Sequence, residues 1–190
     1  MVFTLFSFQA TAAEDDKLSV ALLLPGPISD QGWNMIAYNA LKAVEEDMGV
    51  KTAYTEKVPA SDYEEIFRGY AMAGHDIIMG HGFEFGDAAM KVAKDFKDKN
   101  FIVTSTNITQ EPNVASFRIN DAQSGFVQGV IAALLTETGT VGTLGGMEIP
   151  PIINQQKGFK AGVKYIDEDV EVVSSFTGSF HDVAKGKEMA

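Results

Sequence analysis

Short apolar runs alternate along the chain with longer segments in which apolar residues recur at helical spacing. Residues 18–24 (LSVALLL) form a continuous apolar run that ends at Pro25, a pattern that predicts a buried strand. Residues 34–48 then carry apolar side chains on one helical face and stop before Gly49, a residue type that tolerates the left-handed conformation after a helix. The first predicted unit is therefore a strand followed by an amphipathic helix.

The same unit recurs downstream. We predict strands at residues 51–57, 76–79, 101–104 and 114–119, and helices at residues 61–73, 83–96 and 121–136. Ser61 and Glu64 have the spacing of a capping box, in which a hydroxyl and a carboxylate satisfy the free amides of a helix start. Phe126, Val130 and Leu134 place an apolar stripe along the last of these helices.

A similar pattern restarts after Gly139. It predicts a strand at 140–144, a helix at 152–166, a strand at 170–175 and the start of a helix after Asp182. Because strands alternate with helices, we predict an α/β fold with a parallel, doubly wound sheet. The expected domains are a first α/β lobe over residues 17–137 and the start of a second α/β lobe, incomplete, over residues 138–190.

Composition and charge narrow the class of protein. The formal net charge is -11, which would repel a phosphate backbone, so we expect no nucleic acid as a partner. The chain has no cysteine and hence no disulfide, no thiolate nucleophile and no lipid-anchoring thiol. Residues 1–13 are apolar and end in small residues before a charged stretch, so residues 1–16 are interpreted as a signal-peptide remnant or a disordered tail. We therefore expect an exported protein, periplasmic or extracellular, without a membrane span.

The motifs of common catalytic sites do not fit the chain. Residues 80–86 (GHGFEFG) follow a predicted strand, as a dinucleotide fingerprint would, but the third glycine is one position late. Glu84 and Asp87 would also repel a pyrophosphate at that helix start. The histidines lack metal-ligand spacing, and neither a serine elbow nor a P-loop is present. We expect no cofactor, no metal and no catalytic residue, and we interpret the chain as a binding protein rather than an enzyme.

Candidate binding residues stand in the loops that follow the predicted strands, where a parallel sheet holds its ligand. Asp30, Trp33 and Asn34 share the first of these loops; an indole, a carboxylate and an amide together suit a flat, uncharged heterocycle. The alternative is that Trp33 is a hydrophobic staple and that Asp30 or Asn34 caps the first helix. His81 and Phe83 follow the third strand, where His81 can donate a hydrogen bond to a ligand.

Several segments resemble the basic membrane protein family of bacterial solute-binding proteins, which serve ABC importers and include purine-nucleoside receptors. The resemblance runs from Leu18 to the last residue, and it is carried by residues 30–34 (DQGWN), 80–85 (GHGFEF), 126–130 (FVQGV), 141–146 (VGTLGG) and 178–182 (GSFHD). It implies a type I periplasmic binding protein fold, in which two α/β lobes close on a small-molecule ligand. An ABC transporter permease is the implied partner.

The resemblance also implies which residues contact the ligand. Asp30, Asn34 and Asp121 occupy ligand-contacting positions of the family, with Asn120 as a neighbour, and Trp33 stands where many members have Phe. Asp121 follows Asn120 at a predicted helix start, so it is either a helix cap or an acceptor for a ligand hydroxyl. The sequence departs from the family in having no lipoprotein cysteine, which implies a freely diffusing periplasmic form, and in the short second lobe.

The expected function is an extracytoplasmic solute-binding protein of an ABC importer that binds a purine nucleoside or base between two lobes. One alternative is the ligand-sensing domain of a transcription regulator, which shares the fold but needs a helix-turn-helix; the residues before Leu18 are too few for one. The other is a nucleoside-processing enzyme, for which no pair of base and nucleophile is evident.

Overall fold

The structure, a computed structural model, describes residues 17–180 and 182–190. The interpretation of residues 1–16 as a signal peptide and any role of His181 lie outside the described residues. The first part of the chain forms strands β1 (Ser19–Leu23), β2 (Lys51–Thr55), β3 (Ile77–Gly80), β4 (Asn100–Thr104) and β5 (Val114–Phe117). Between them run helices α1 (Trp33–Met48), α2 (Tyr63–Met72) and α3 (Gly86–Val92). The predicted alternation is confirmed, with most bounds displaced by one or two residues.

The five strands form one parallel sheet in the order β2-β1-β3-β4-β5. Leu23 at the end of β1 pairs with Gly80 of β3, and Gly80 pairs with Val103 of β4. The carboxyl ends of the central strands are therefore level, and the loops that follow them lie along one edge of the sheet.

Helices cover both faces of this sheet. Alternate residues of each strand point to opposite sides, so each face has its own apolar cluster. Ala21 and Leu23 of β1 join a core with Phe67 of α2 and Ala89 of α3. Residues on the other side of β1 and β3 pack against α1, through contacts among Val20, Leu22, Leu24, Tyr38, Leu41 and Met79. The predicted doubly wound α/β sheet is confirmed.

The predicted capping box at the start of α2 is wrong. A 3-10 turn, Ala60–Asp62, precedes the helix, which begins at Tyr63 without a capping bond from a side chain. The Ser61 hydroxyl donates instead to the Asp62 carboxylate, and Glu64 pairs with Lys91 of α3. The turn places Ser61 inside a helical segment, where its hydroxyl does not face the amides that it was expected to satisfy.

The predicted helix at 83–96 is also wrong in its extent. Phe83–Phe85 is a 3-10 turn, and α3 ends at Val92. The side-chain amide of buried Asn113 donates to the carbonyl oxygens of Ala93, Phe96 and Lys99, at 3.2, 2.8 and 2.8 Å. The Asn113 side chain thus provides hydrogen-bond donors for three carbonyl groups that follow the end of α3.

A second, two-stranded parallel sheet follows, made of β6 (Thr140–Gly145) and β7 (Glu171–Phe176), with α5 (Pro150–Ile166) as the crossover. Helix α4 (Asp121–Leu135) precedes this sheet, and a short helix α6 (Val183–Met189) follows it. Phe159 and Val163 of α5 form a small core with Val170, joined by Ala132 and Ala133 of α4.

Helices α4 and α5 touch through glycines. A Cβ atom on Gly129 would lie 2.0 Å from the Phe159 carbonyl oxygen, and one on Gly162 would lie 2.0 Å from the Phe126 carbonyl oxygen. The predicted apolar stripe is therefore wrong at Leu134, which is 65% exposed, because the buried face is built from small residues. The lobe boundary at residue 137 stays a prediction. Helix α4 lies before this boundary but packs against α5, the crossover helix of the second sheet.

No helix within residues 17–180 or 182–190 has both the length and the apolar character needed to cross a bilayer.

Candidate ligand-binding site

The strand order places the candidate site at a switch point. From β1 the chain crosses to β2 on one side, and β3 lies on the other side of β1. In open α/β sheets of this order, the crevice outside the carboxyl ends of β1 and β3 is where ligands bind. The loop after β1 carries Asp30 and leads into Trp33 and Asn34 at the start of α1, and His81 and Phe83 follow β3.

Asp30 organises the first loop. Its carboxylate accepts hydrogen bonds from the N–H groups of Gly32, Asn34 and Met35, at 2.8–3.1 Å, and from Nδ2 of Asn34 at 2.7 Å. Partial burial acts to raise the pKa of Asp30, but these hydrogen bonds outweigh it and lower the pKa from 3.8 to about 2. The carboxylate thus stays ionised and satisfies the first turn of α1, which is the capping role considered for it.

Asn34 supports the same loop from inside. Its side chain is 2% exposed, and its Oδ1 accepts from the N–H of Gly26 at 3.1 Å while its Nδ2 donates to Asp30. The N–H of Ile28 donates to the Glu56 carboxylate at 2.6 Å, which ties the loop to the end of β2. The loop is therefore fixed at several points before any ligand arrives.

Trp33 is the first residue of α1, and its ring stacks on that of His81. The ring centroids are 4.2 Å apart and the planes differ by 25°. Trp33 remains 48% exposed, so the indole is not buried as a hydrophobic staple would be. Burial lowers the pKa of His81, and the Trp33 carbonyl and the Asp30 charge offset this only in part.

Asn120 and Asp121 take different roles at the start of α4. Asn120 is the N-cap, since its Oδ1 accepts from the N–H of Gln123 at 3.2 Å. Asp121 is the first helical residue, and its Oδ2 is buried without a hydrogen-bond partner. Buried carboxylate oxygens are normally paired, so an orphan of this kind at a helix N-terminus is suited to accept a hydrogen bond from a ligand.

A cavity of about 580 Å³ lies between the two sheets. The first lobe contributes residues from the start of α2, the 3-10 turn after β3 and the start of α3, and the loops after β6 and β7 contribute the rest. Its main lining side chains are Tyr63, Phe83, Glu84, Met147, Ile149 and Phe180. Phe83 lines this cavity; the other candidate residues do not.

Glu84 is a partly buried acid in the cavity wall. Burial raises the pKa of Glu84, and the hydrogen bond from its own backbone lowers it only in part. Burial also raises the pKa of Tyr63, with a further contribution from the Glu84 charge. Glu64 and Asp87 line the cavity as well, so its walls combine aromatic rings with acids.

Sequence reasoning missed Glu84, Tyr63 and Phe180 as lining residues. Phe180 lies in a segment that carried the family resemblance, and its ring packs so closely on Gly146 that a Cβ there would lie 2.2 Å from it. Within the described residues no group of three or more His, Cys, Asp or Glu side chains is arranged to hold a metal ion.

The chain is similar in sequence to curated binding proteins. It is 33% identical over 167 residues to the ABC transporter nucleoside-binding protein BmpA of Lactococcus lactis subsp. cremoris, covering 86% of this chain and 48% of that protein. It is 29% identical over 188 residues to a purine-binding protein of Brucella abortus, covering 97% of this chain and 53% of that protein. The chain thus spans about half the length of the curated relatives it matches.

The fold is similar to that of solved solute-binding proteins. A solute-binding protein of an ABC transporter system from Aeropyrum pernix K1 superposes with a TM-score of 0.81 at 26% identity, covering 90% of this chain and 50% of that one. The fold is that of type I periplasmic binding proteins, as predicted. Residues 17–190 also match the family described as ABC transporter substrate-binding protein, PnrA-like. The chain belongs to this family, called Bmp, which confirms the resemblance carried by its motifs.

Proposed function

We propose that this chain forms one wall of the solute site of an extracytoplasmic ABC importer component, which binds a purine nucleoside or base between two lobes. The observation that carries the proposal is the Trp33 indole, which is half exposed at the β1–β3 switch point and presents a ring face for stacking. A flat heterocycle can stack on such an indole face.

Further support comes from the groups that suit the rest of a nucleoside. The orphan Oδ2 of Asp121 is an acceptor without a donor, and a ribose hydroxyl is a donor of the required kind. The relatives named above are called nucleoside-binding and purine-binding, which agrees with the same class of ligand. The partner in this proposal is the transporter permease, which receives the loaded protein outside the cytoplasm.

We propose binding without turnover, because the described residues at the switch point serve as supports or as stacking surfaces. Asp30 and Asn34 are committed to the loop, and His81 bonds to backbone and hydroxyl groups of the protein. A nucleoside incubated with the full-length protein should be recovered intact by mass spectrometry after the protein is denatured. Recovery of free base and ribose in its place would contradict the proposal and favour a nucleoside-processing enzyme.

A further inference from the structure

His81 and Trp33 lie 48 residues apart in the chain and meet because β1 and β3 are neighbours in the sheet. In addition to the ring contact, the Nε2 atom of His81 is 3.2 Å from the Trp33 carbonyl oxygen. The imidazole therefore holds both the ring and the backbone of the residue that begins α1.

Both ring nitrogens of His81 are occupied by groups of the protein. A carbonyl oxygen is only an acceptor, so Nε2 carries the proton and donates to Trp33. In the neutral ring Nδ1 is then an acceptor, and the hydroxyl of buried Thr104 donates to it across 3.2 Å. These two bonds fix the tautomer and the plane of the imidazole, which leaves no N–H for a ligand.

We propose that His81 is a positioning residue: it covers one face of the Trp33 ring and holds the indole so that a planar ligand stacks on the opposite face. The inference rests on the proposed function in one respect, namely that the ligand stacks on Trp33. An indole held in place before binding loses less conformational freedom when the ligand arrives, which favours affinity. Covering one face also limits the site to a single stacked ring.

The two hydrogen bonds described above are those of a neutral His81 ring. Its neighbours are the carbonyl of Trp33, the hydroxyl of Thr104 and, as the charged group that acts on it, the carboxylate of Asp30. Burial lowers the pKa of His81, which favours the neutral ring, and more acidic solution favours the charged one. An imidazolium in contact with an indole quenches its fluorescence, which gives the contact a direct optical signature.

The first test is a pH titration of Trp33 emission without ligand. Trp33 is the only tryptophan of the given sequence, and a Trp33→Phe variant identifies its contribution to the emission. We expect emission to fall in acid with a midpoint below about 6.5, the ordinary value for histidine. His81→Gln should abolish the change, and His75→Gln, which alters a histidine packed on Tyr70, should retain it. Emission independent of pH in the wild type would overturn the proposal.

The second test is a double-mutant cycle in the full-length protein, with adenosine and inosine as the probes. His81→Gln should weaken binding by about two- to tenfold, the range that an aromatic pair allows, and His81→Phe, which retains a ring, should restore most of the affinity. In a Trp33→Ala background His81→Gln should have no further effect. An equal loss in both backgrounds would overturn the proposal by making His81 a direct ligand contact. Absence of all nucleoside binding in the wild type would overturn the proposed function, while the pH titration would still report on the ring contact.

Discussion

The backbone of Gly129 in α4 lies against that of Phe159 in α5, so closely that a Cβ on the glycine would come within 2.0 Å of the Phe159 carbonyl oxygen. Gly125 has the same relationship to Gln155, and Gly158 has it to Ala122. Glycines on each helix thus contact the backbone of the other and set the distance between α4 and α5.

The Gly129→Ala variant should be destabilised, because the added methyl group must push two backbones apart. We expect a loss of about 1–3 kcal/mol in the free energy of unfolding, measured by urea denaturation. Gly69→Ala is the matched control: it lies in the exposed part of α2 with open space around its Cβ position, and it should gain about 0.5–1 kcal/mol. A Gly129→Ala variant as stable as Gly69→Ala would contradict the packing described here.

How much of this could be predicted from the sequence depends on the range of the interactions. The alternation of strands and helices and the loops that carry Asp30 and His81 follow from local patterns, and they were predicted; Trp33 was expected in the first loop and is instead the first residue of α1. The α4–α5 contact was missed because a search for large apolar residues passes over glycines such as Gly129. The early end of α3 was missed, and the Asn113 side chain that binds the carbonyls after it is distant from them in sequence.

The candidate site shows the same limit. Its loops were predicted, but the stack of Trp33 on His81 depends on β1 and β3 being neighbours, which no local pattern specifies. The N-cap role of Asn120 depends on where α4 begins, because a start one residue later would make Asp121 the cap. Phe180 lines the cavity because of how the two sheets pack, and local sequence patterns do not predict that packing.

Asp30 should stabilise the fold in a pH-dependent manner. Removing its carboxylate in Asp30→Ala leaves three backbone N–H groups and the Asn34 amide without their acceptor, so we expect a loss of about 1–3 kcal/mol at neutral pH. Since folding lowers the pKa from 3.8 to about 2, this stabilisation is complete above about pH 4 and is lost as the pH falls through about 2.

The measurement is the difference in free energy of unfolding between wild type and Asp30→Ala as a function of pH. Asp47→Ala serves as the control, because Asp47 is an exposed acid near the C-terminal end of the same helix, where removing a negative charge should stabilise slightly rather than destabilise. A wild-type advantage that persists unchanged down to pH 2, or that is absent at pH 7, would be inconsistent with the loop geometry.

Substitutions at Asn120 and at Asp121 should have different effects on stability and on affinity. Asn120→Ala removes the cap of α4 and should cost about 1 kcal/mol of stability, read from the thermal midpoint, with little change in binding. Asp121→Ala removes the orphan acceptor and should weaken binding of a purine nucleoside by roughly ten- to a hundredfold, as expected for a hydrogen bond to a charged group. If Asp121→Ala lowers the thermal midpoint and retains affinity, the acceptor role is wrong.

Trp33 should contribute to binding through its ring rather than through its side-chain N–H. Trp33→Ala should reduce the affinity for a purine nucleoside by about 1–3 kcal/mol, the energy of one stacked base. Trp33→Phe retains a stacking face and should lose less than half of that. Equal affinities for the wild type and Trp33→Ala, measured by calorimetry, would leave the indole with only a structural role at the start of α1.

The central claim is that the site takes a purine nucleoside or base, and calorimetric titration of the full-length protein tests it most directly. Adenosine, guanosine and inosine are compared with the pyrimidine nucleosides uridine and cytidine and with free ribose, all under one buffer condition. The account predicts saturable binding of one purine ligand per protein, weaker binding of the smaller pyrimidine ring and no heat from ribose. Saturable binding of ribose with no response to any purine would contradict it.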